Sequence, residues 1–327
     1  MSSSSIEVDG TTLSFLQTVP CHLTHRRAVG EVFVTDSAQH SEAEFLAAMQ
    51  LPRAHSLWDD RPFLFHDPLA IVEAGRQVAF LVIHRYLDVP LGLPFVLGHV
   101  DFTVHDLSGL TDSQAEPFEA VVRLALTHRE EREGVLNSLS FRGGVYVRGS
   151  HTMELGGELQ FVKRNEYRQL RAFARRKKKV DNKAFPPAPE PIDPQQLGRW
   201  NRKNIAIGEG QEHNGSFRFP VIVDQTHPSF FDHPQDHLPG PLILEAYRQS
   251  AILAACRTGA LSSPCAVVTG ADLKFTEFGE FEAINECGAR VAKTFDDGSV
   301  QVDVLIAQLG ATIASATFRL TPVEPAY

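Results

Sequence analysis

The chain has 327 residues, of which 43% are apolar and 22% are charged, and this composition suits two globular domains of ordinary size. Its formal net charge of −9 disfavours binding to nucleic acid, and no apolar run is long enough to predict a membrane span. The N-terminus lacks the basic flank and apolar core of a secretion signal, so we expect a cytoplasmic protein. Four scattered cysteines without a CxxC pair argue against a structural zinc site.

The first half of the chain predicts a strand, a long helix and then a group of strands. Apolar side chains recur at helical spacing after Pro68, a residue that suits a first helical turn, so residues 69–86 are predicted as a helix. The predicted strands of this half are residues 31–35, 95–104, 116–126, 139–147 and 158–161.

A proline-rich run separates the two halves. Residues 181–194 contain five prolines and directly follow a dense basic run from Arg171 to Lys179. Proline removes backbone donors and favours extended chain, which is typical of a linker. We therefore predict an N-terminal domain at residues 1–180, a linker at 181–194 and a C-terminal domain at 195–327.

The second half repeats the order of the first. Residues 241–258 predict another long apolar helix, with Gly259 just past its end. Asp296-Asp297-Gly298 is a typical hairpin turn. The predicted strands of this half are residues 216–223, 266–275, 282–294, 301–308 and 311–320.

The pattern Glu-Ala-x-Arg-Gln occurs at residues 73–77 and again at 245–249, which is 172 residues later (245 − 73). Each copy lies in one of the predicted apolar helices, so one fold unit is predicted to occur twice. A strand, a long helix and then antiparallel strands form an α+β unit. A sheet curled around one central helix is the hotdog layout, and the chain predicts a tandem hotdog.

Three segments resemble the AfsA-type (A-factor biosynthesis) family. They run from His25 to Asp36, from His66 to Gly92, and from Asp232 to Gln249. This resemblance covers nearly the whole chain and implies a double hotdog. It also implies transfer of a β-ketoacyl group from acyl carrier protein to the hydroxyl of dihydroxyacetone phosphate, which yields γ-butyrolactone precursors. Residues 227–246 resemble the active-site helix of hotdog dehydratases too, although the stretch from His233 to Pro239 is shorter here.

Acyl transfer to an alcohol needs a base, and Glu73 or Glu245 is the predicted one. Each lies in an apolar helix, where desolvation is expected to raise the pKa of the carboxyl. The structural alternative is a buried Glu paired with an arginine three residues later in its own helix, Arg76 or Arg248.

The remaining needs of the reaction are an oxyanion donor and a cation for phosphate. Gly240, at the Pro-Gly start of the second helix, is predicted to let a thioester carbonyl approach backbone amides. The alternative is a turn chosen for packing. Arg76 and Arg248 are the candidates for the phosphate. We favour a composite site with Glu73 as the base and Arg248 on the phosphate.

Histidines 66, 233 and 237 lie near the starts of the two helices. His233 is a candidate catalytic base, and His66 and His237 are candidate substrate ligands. Alternatively, Asp-His-Pro is a capping and turn element. Asp232, His233, Asp236 and His237 match no metal-ligand spacing of an established zinc site, so we expect neither metal nor cofactor.

The basic run from Arg171 to Lys179 is either a solvated face or the docking surface for an acidic acyl carrier protein. A second hypothesis for the function of the chain is a hotdog dehydratase or thioesterase acting on acyl-carrier-protein or coenzyme A substrates. A third is a non-catalytic binding module, such as a lactone sensor. No helix-turn-helix is apparent, so sensing by DNA binding is disfavoured. The protein is expected to be a monomer or homodimer, bound to neither membrane nor nucleic acid.

Overall fold

The computed structural model describes residues 4–132, 135–181 and 183–326. The chain folds as two compact units. The first comprises Met1–Asp59 and Phe65–Arg164, and the second comprises Asp60–Leu64 and Asn165–Tyr327. This division differs from the predicted boundary, because the basic run and the proline-rich run both fall within the second unit. The basic run forms a helix whose cations bind acidic residues of that unit.

The first unit contains one long helix and an antiparallel sheet. In chain order, its strands are β1 (Ser5–Val8), β2 (Thr11–Ser14), β3 (Val34–Gln39), β4 (Glu44–Leu51), β5 (Phe95–Val104), β6 (Phe118–Arg132), β7 (Val135–Val147) and β8 (Ser150–Phe161). β1 and β2 form a separate hairpin, and the larger sheet has the order β3-β4-β6-β7-β8-β5. Helix α1 (Pro68–Arg85) packs against β3, β4 and β6.

Helix α1 begins where Asp67 accepts a hydrogen bond from the Leu69 amide and Pro68 occupies the first turn. Its residues are apolar on most faces, as expected for a helix inside a curled sheet. The structure describes every residue from 68 to 83, and all of them are buried except Arg76. The core of the first unit therefore surrounds this helix.

The second unit has the same layout. Its elements are α2 (Arg164–Lys178, whose first residue lies in the first unit), β9 (Gln211–His213), β10 (Ser216–Pro220), α3 (Gly240–Arg257), β11 (Ala266–Phe275), β12 (Asn285–Thr294), β13 (Val300–Gln308) and β14 (Ala311–Pro322). The strands pair antiparallel in the order β11-β14-β13-β12-β10-β9. Helix α3 packs against β10, β12, β13 and β14. Each unit is thus a sheet around a long helix, which confirms the predicted tandem hotdog.

The predicted central helices agree with α1 and α3 to within one residue at each end, and β5 and β11 match their predictions. The hairpin turn at Gly298 is also confirmed, since its φ is +77°. The strand predicted at residues 31–35 begins instead at Val34, after a 3₁₀ helix at Val29–Glu31. Strand β4 was missed because its residues 45–49 are buried without exception and show no alternation.

Helix α2 was also missed, because few of its residues are apolar and the residues on its buried side are the cations Arg171 and Lys178. Within the described residues, no helix is long and apolar enough to cross a membrane.

Candidate functional site

Glu73 lies in the middle of α1 at the centre of a buried network. Its carboxylate accepts hydrogen bonds from Arg26 Nε (3.0 Å), Arg76 Nε (2.8 Å) and Gln77 Nε2 (2.8 Å). Gln77 also donates to the Glu31 carbonyl and accepts from the Phe33 amide. Arg26 and Gln77 thereby attach the segment before β3 to the middle of α1.

The expectation of a raised pKa is wrong for Glu73. Burial opposes ionisation and by itself raises the pKa of this carboxyl. The charges of Arg26 and Arg76, with hydrogen bonds from Arg76 and Gln77, outweigh burial and lower the pKa to about 2. A carboxylate with so low a pKa is a weak base at neutral pH. Glu73 is better suited to holding two guanidinium groups.

Arg76 is the part of this network that solvent reaches. Its side chain is 27% exposed, whereas those of Arg26 and Glu73 are 4% and 5% exposed. Its Cζ atom lies 5.0 Å from the centre of the Phe80 ring, one turn further along α1. An exposed guanidinium is the group of this network that an incoming anion can contact.

Glu245 in α3 occupies an equivalent network in the second unit. It accepts hydrogen bonds from Arg199 Nη2 (2.8 Å), Arg248 and Gln249. Gln249 donates to the Asn204 carbonyl and accepts from the Ala206 amide, as Gln77 does with its own partners. The side chains of Glu245, Arg199 and Arg248 are 1%, 2% and 7% exposed, so this network is closed to solvent.

The segment that supplies the second arginine has the same geometry in both units. A 3₁₀ helix ends in a left-handed residue, His25 (φ 53°) or Gly198 (φ 62°), and Arg26 or Arg199 follows directly. The two arginines are 173 residues apart (199 − 26), nearly the spacing of the repeated motif. Neither arginine was predicted from the sequence as a site residue. Their spacing was the available signal, and Arg26 lies inside the first segment of family resemblance.

Two histidines that were not predicted from the sequence as site residues adjoin the network of the first unit. His25 stacks on Phe80 with ring centres 4.1 Å apart, and its Nε2 lies 2.6 Å from Nε2 of His84. Nδ1 of His84 lies 2.7 Å from the Val89 carbonyl oxygen. Arg76, Phe80 and His84 are spaced four residues apart and therefore share one face of α1. At the same helix positions in α3 stand Arg248, Ile252 and Cys256.

Gly240 is the first residue of α3, after Pro239, which provides no side-chain cap. A Cβ atom placed on Gly240 would meet nothing within 4 Å, so packing does not require glycine at this position. Space beside the helix start is available to a ligand, and the role of Gly240 as an oxyanion donor stays a prediction.

The three predicted histidines are divided between the units. In the first, His66 is buried against Phe118, and its Nε2 lies 3.7 Å from Asp112. In the second, His233 is 40% exposed and contacts Asp232 and Gln235. His237 contacts Asp236 through Nδ1 at 2.6 Å. Each ring thus has a polar neighbour close in sequence or space, and the roles predicted for the three stay predictions.

The basic run lies in α2 except for Lys179, and several of its cations contact acidic residues elsewhere in the second unit. Arg171 binds Asp236 and Glu280, and Arg175 binds Glu280 and Glu282. Lys178 is buried and donates to Gln308 and the Phe278 carbonyl. These three cations anchor the helix and are not available to a partner. The surface predicted for acyl carrier protein is therefore smaller than expected, and its exposed cations include Arg176, Lys177 and Lys179.

A family model described as "A-factor biosynthesis hotdog domain" matches residues 10–152 and 180–324, and so covers both networks. The chain belongs to this AfsA family. A relative from Streptomyces griseus, named 2-oxo-3-(phosphooxy)propyl 3-oxoalkanoate synthase, is 30% identical over 91% of this chain and 93% of its own. A relative of the same name from Streptomyces coelicolor is 30% identical over 72% of each chain.

Solved structures agree on the fold. The chain is similar to a pyran synthase domain from module nine of the sorangicin pathway, with a TM-score of 0.53 and 14% identity over 89% of this chain and 98% of that one. It is also similar to the dehydratase domain from the CurK module of curacin polyketide synthase, with a TM-score of 0.51 and 12% identity over 88% and 95%. At such identities these likenesses establish the hotdog fold alone.

Proposed function

We propose that this protein is an acyltransferase that moves a β-ketoacyl group from acyl carrier protein to the hydroxyl of dihydroxyacetone phosphate or a similar acceptor. The match to the AfsA family across both units carries the proposal. The name of the relatives describes a 3-oxoalkanoate ester of a phosphorylated three-carbon ketone, which is the product of such a transfer. The reaction would serve the biosynthesis of γ-butyrolactone-type signals or secondary metabolites in the cytoplasm.

Arg76 is our candidate for the acceptor phosphate. Its guanidinium is partly exposed, and its planar fork suits a phosphate. Glu73 holds that guanidinium in place through Nε and Nη2. Arg248, which we favoured for this role from the sequence, is closed to solvent and bound to Glu245, so it suits a structural role better.

Acyl carrier protein is our candidate for the donor. The exposed side of α2 presents Leu170 and Phe173, which are 42% and 62% exposed, beside the cations Arg176 and Lys179. Acidic carrier proteins favour such a mixed apolar and basic surface through electrostatic steering and apolar contact. The Gly240 amide remains our candidate oxyanion donor, because helix N-terminal amides stabilise developing negative charge.

The reaction is tested by incubating the protein with β-ketoacyl carrier protein, with and without dihydroxyacetone phosphate, and measuring the masses of all species. We expect loss of the acyl group from the carrier and formation of a phosphorylated ester only when the acceptor is present. Release into water alone would indicate a thioesterase, and loss of water from the acyl chain a dehydratase. The same acyl group on coenzyme A tests whether the carrier itself is recognised.

The role of Arg76 is tested with Arg76→Ala and two acceptors, dihydroxyacetone phosphate and dihydroxyacetone. Losing a charge-assisted contact should lower kcat/KM for the phosphorylated acceptor about 10- to 100-fold, and should leave the value for dihydroxyacetone nearly unchanged. An equal loss for both acceptors would show that Arg76 does not bind the phosphate.

A further inference from the structure

Asp236 and His237 form a hydrogen-bonded pair shortly before helix α3. Nδ1 of His237 lies 2.6 Å from Oδ1 of Asp236. An ionised carboxylate can only accept a hydrogen bond, so Nδ1 carries the proton and, in the neutral ring, Nε2 is the basic nitrogen. Within the part of the chain that the structure describes, Nε2 has no hydrogen-bond partner, and the side chain is 29% exposed. The pair therefore leaves a basic ring nitrogen available to a ligand.

The second unit holds Asp236 in its ionised form through helix α2. Arg171 donates from Nε to the Asp236 carboxylate at 3.0 Å and from Nη2 to the Asp236 carbonyl at 2.6 Å. Arg171 is itself buried and bound to Glu280 at 2.7 Å. Burial by itself raises the pKa of the Asp236 carboxyl, but the hydrogen bond with His237 and the charge of Arg171 hold this pKa well below its ordinary value. Asp236 is therefore a fixed acceptor for the Nδ1 proton.

The loop after β11 places the His237 ring. The ring of Phe278 meets it edge-on, with ring centres 4.9 Å apart and an angle of 75° between the planes. The next residue, Leu238, donates from its amide to the Gly279 carbonyl at 2.8 Å. The imidazole is thus held by a carboxylate, a ring contact and its own backbone. A fixed orientation is what a general base requires, because the geometry of proton transfer decides its efficiency.

His233, which was predicted from the sequence as the base, is less suited to this role. Its Nε2 lies 2.7 Å from the amide nitrogen of Gln235, which can only donate, so Nε2 is already an acceptor. Its Nδ1 then carries the proton and lies 3.4 Å from Asp232. Both ring nitrogens of His233 are engaged, whereas His237, predicted as a substrate ligand, has one that is not.

The alternative role of a helix cap does not fit Asp236. Among the described residues, its carboxylate accepts hydrogen bonds only from side chains, which are those of His237, Arg171 and a tyrosine of α2. A cap would accept from a backbone amide of the first turn, as Asp67 does at the start of α1. The pair therefore does not serve to start the helix.

The start of α1 has no such pair. Helices α1 and α3 begin 172 residues apart (240 − 68). At that spacing, Leu64 and Phe65 precede α1 where Asp236 and His237 precede α3. A pair that only supported the fold would be expected in both units, since they are built on the same plan. Its restriction to the helix that carries our candidate oxyanion donor points to chemistry.

We propose that His237 is the general base of the acyl transfer, and that Asp236 is a positioning residue that fixes its tautomer. This proposal rests on the proposed acyltransferase function, but not on which residue binds the acceptor phosphate. Nε2 of His237 accepts the proton of the acceptor hydroxyl while the hydroxyl oxygen forms a bond to the thioester carbonyl carbon. When the C–S bond breaks and the carbonyl forms again, the sulfur takes that proton from Nε2 and leaves as a thiol. The proton is returned, so the step needs no further reactant.

The start of α3 brings the other group that this step needs. Gly240, our candidate donor to the oxyanion, follows His237 by three residues, and a Cβ atom there would meet nothing within 4 Å. Three residues span at most about 11 Å, so the base and the oxyanion donor can serve the same thioester. The carboxylate of Asp236 stabilises the imidazolium that forms on His237 during the step.

The test compares His237→Ala and His237→Gln with the control His213→Ala, which removes an exposed histidine of β9 in the same unit. Acyl transfer is followed by mass, and folding by thermal unfolding. We expect both His237 variants to lower kcat about 100-fold or more, with KM for dihydroxyacetone phosphate changed little, since general base catalysis contributes about 10²–10⁴. The control should match the wild type. A folded His237 variant with kcat within about three-fold of the wild type would overturn the proposal.

Asp236 is tested by a double-mutant cycle. Asp236→Ala alone should lower kcat about 10-fold or more, but it should have little further effect in His237→Ala, because Asp236 acts only through His237. Combined with His213→Ala, its effect should be the same as in the wild type. A structural Asp236 would lower kcat by the same factor with or without His237, and that result would overturn the positioning role.

Failure of this inference differs from failure of the proposed function. A folded wild-type protein without any transfer would refute the function itself. A wild-type protein that transfers the acyl group, together with folded His237 variants that do so equally well, would refute only the role of His237.

Discussion

The two units contain the same buried network, but they differ in whether solvent reaches it. In the first, Arg76 reaches solvent and a histidine chain lies beside it. In the second, Arg248 is enclosed, and glycine, isoleucine and cysteine replace His25, Phe80 and His84. The Glu, the following Gln and the arginine after the 3₁₀ helix are common to both. The shared residues connect the central helix to the segment before the sheet in each unit. The residues that differ between the units are the better candidates for chemistry.

A second pair of histidines supports this distinction. Nδ1 of His55 accepts from the Leu57 and Trp58 amides, and Nδ1 of His227 accepts from the Ser229 and Phe230 amides. These buried rings stabilise the same turn in each unit, 172 residues apart (227 − 55). A histidine that recurs in both units with equivalent backbone contacts is explained by the fold. His25 has no such counterpart.

The largest expected effect is the loss of unfolding free energy in Glu245→Gln, which we compare with the loss in Glu73→Gln. Removing the carboxylate charge from the closed network takes away an anion that two buried guanidinium groups contact, which should lower the free energy of unfolding by about 3–5 kcal/mol. The loss for Glu73→Gln should be smaller, because Arg76 can turn toward water. Urea denaturation measures both. Equal losses would contradict the claim that the second network is closed and the first is open.

Acid should weaken the first network within a defined pH range. The folded-state pKa of Glu73 is about 2, below its ordinary 4.5, so its ionised form stabilises the fold above pH 4.5. That stabilisation, about 3 kcal/mol from the pKa difference, should be lost as pH falls from 4.5 through about 2. Denaturation of the wild type and Glu73→Gln across this range is the measurement. A difference that does not shrink toward low pH would mean that Glu73 is not held by its arginines.

The smallest effect concerns the left-handed residue before the paired arginine. Gly198→Ala places a Cβ atom in a left-handed conformation against the Pro264 carbonyl, which should cost about 1–2 kcal/mol in unfolding free energy. The activity of the folded fraction should not change, since neither Arg76, the proposed phosphate contact, nor Gly240, the proposed oxyanion donor, belongs to the segment that contains Gly198. Thermal unfolding together with a transfer assay would check this, and a selective loss of activity would mean that the segment around Gly198 contributes to the reaction.

The sequence by itself determined the duplication, the class of fold and the family. The motif at residues 73–77 and 245–249, two apolar helices and runs of strands were sufficient, because these signals are local and periodic. It also identified Glu73 and Arg76 as neighbours, since i and i+3 share a helix face.

Only the tertiary structure decided what these residues do. The pKa of Glu73 depends on Arg26, which is distant in sequence. The charges of Arg26 and Arg76 outweigh burial, so the pKa of Glu73 is lowered where the sequence had predicted that it is raised. The exposure of Arg76 and the enclosure of Arg248 depend on side chains packed around each helix, which no local pattern encodes. The basic run was likewise predicted to be a solvated face or a docking surface. In the structure, however, Arg171 and Arg175 are paired with Glu280, which lies more than a hundred residues later in the chain. Electrostatic character follows from all neighbours in space, and the order of residues along a chain specifies only some of them.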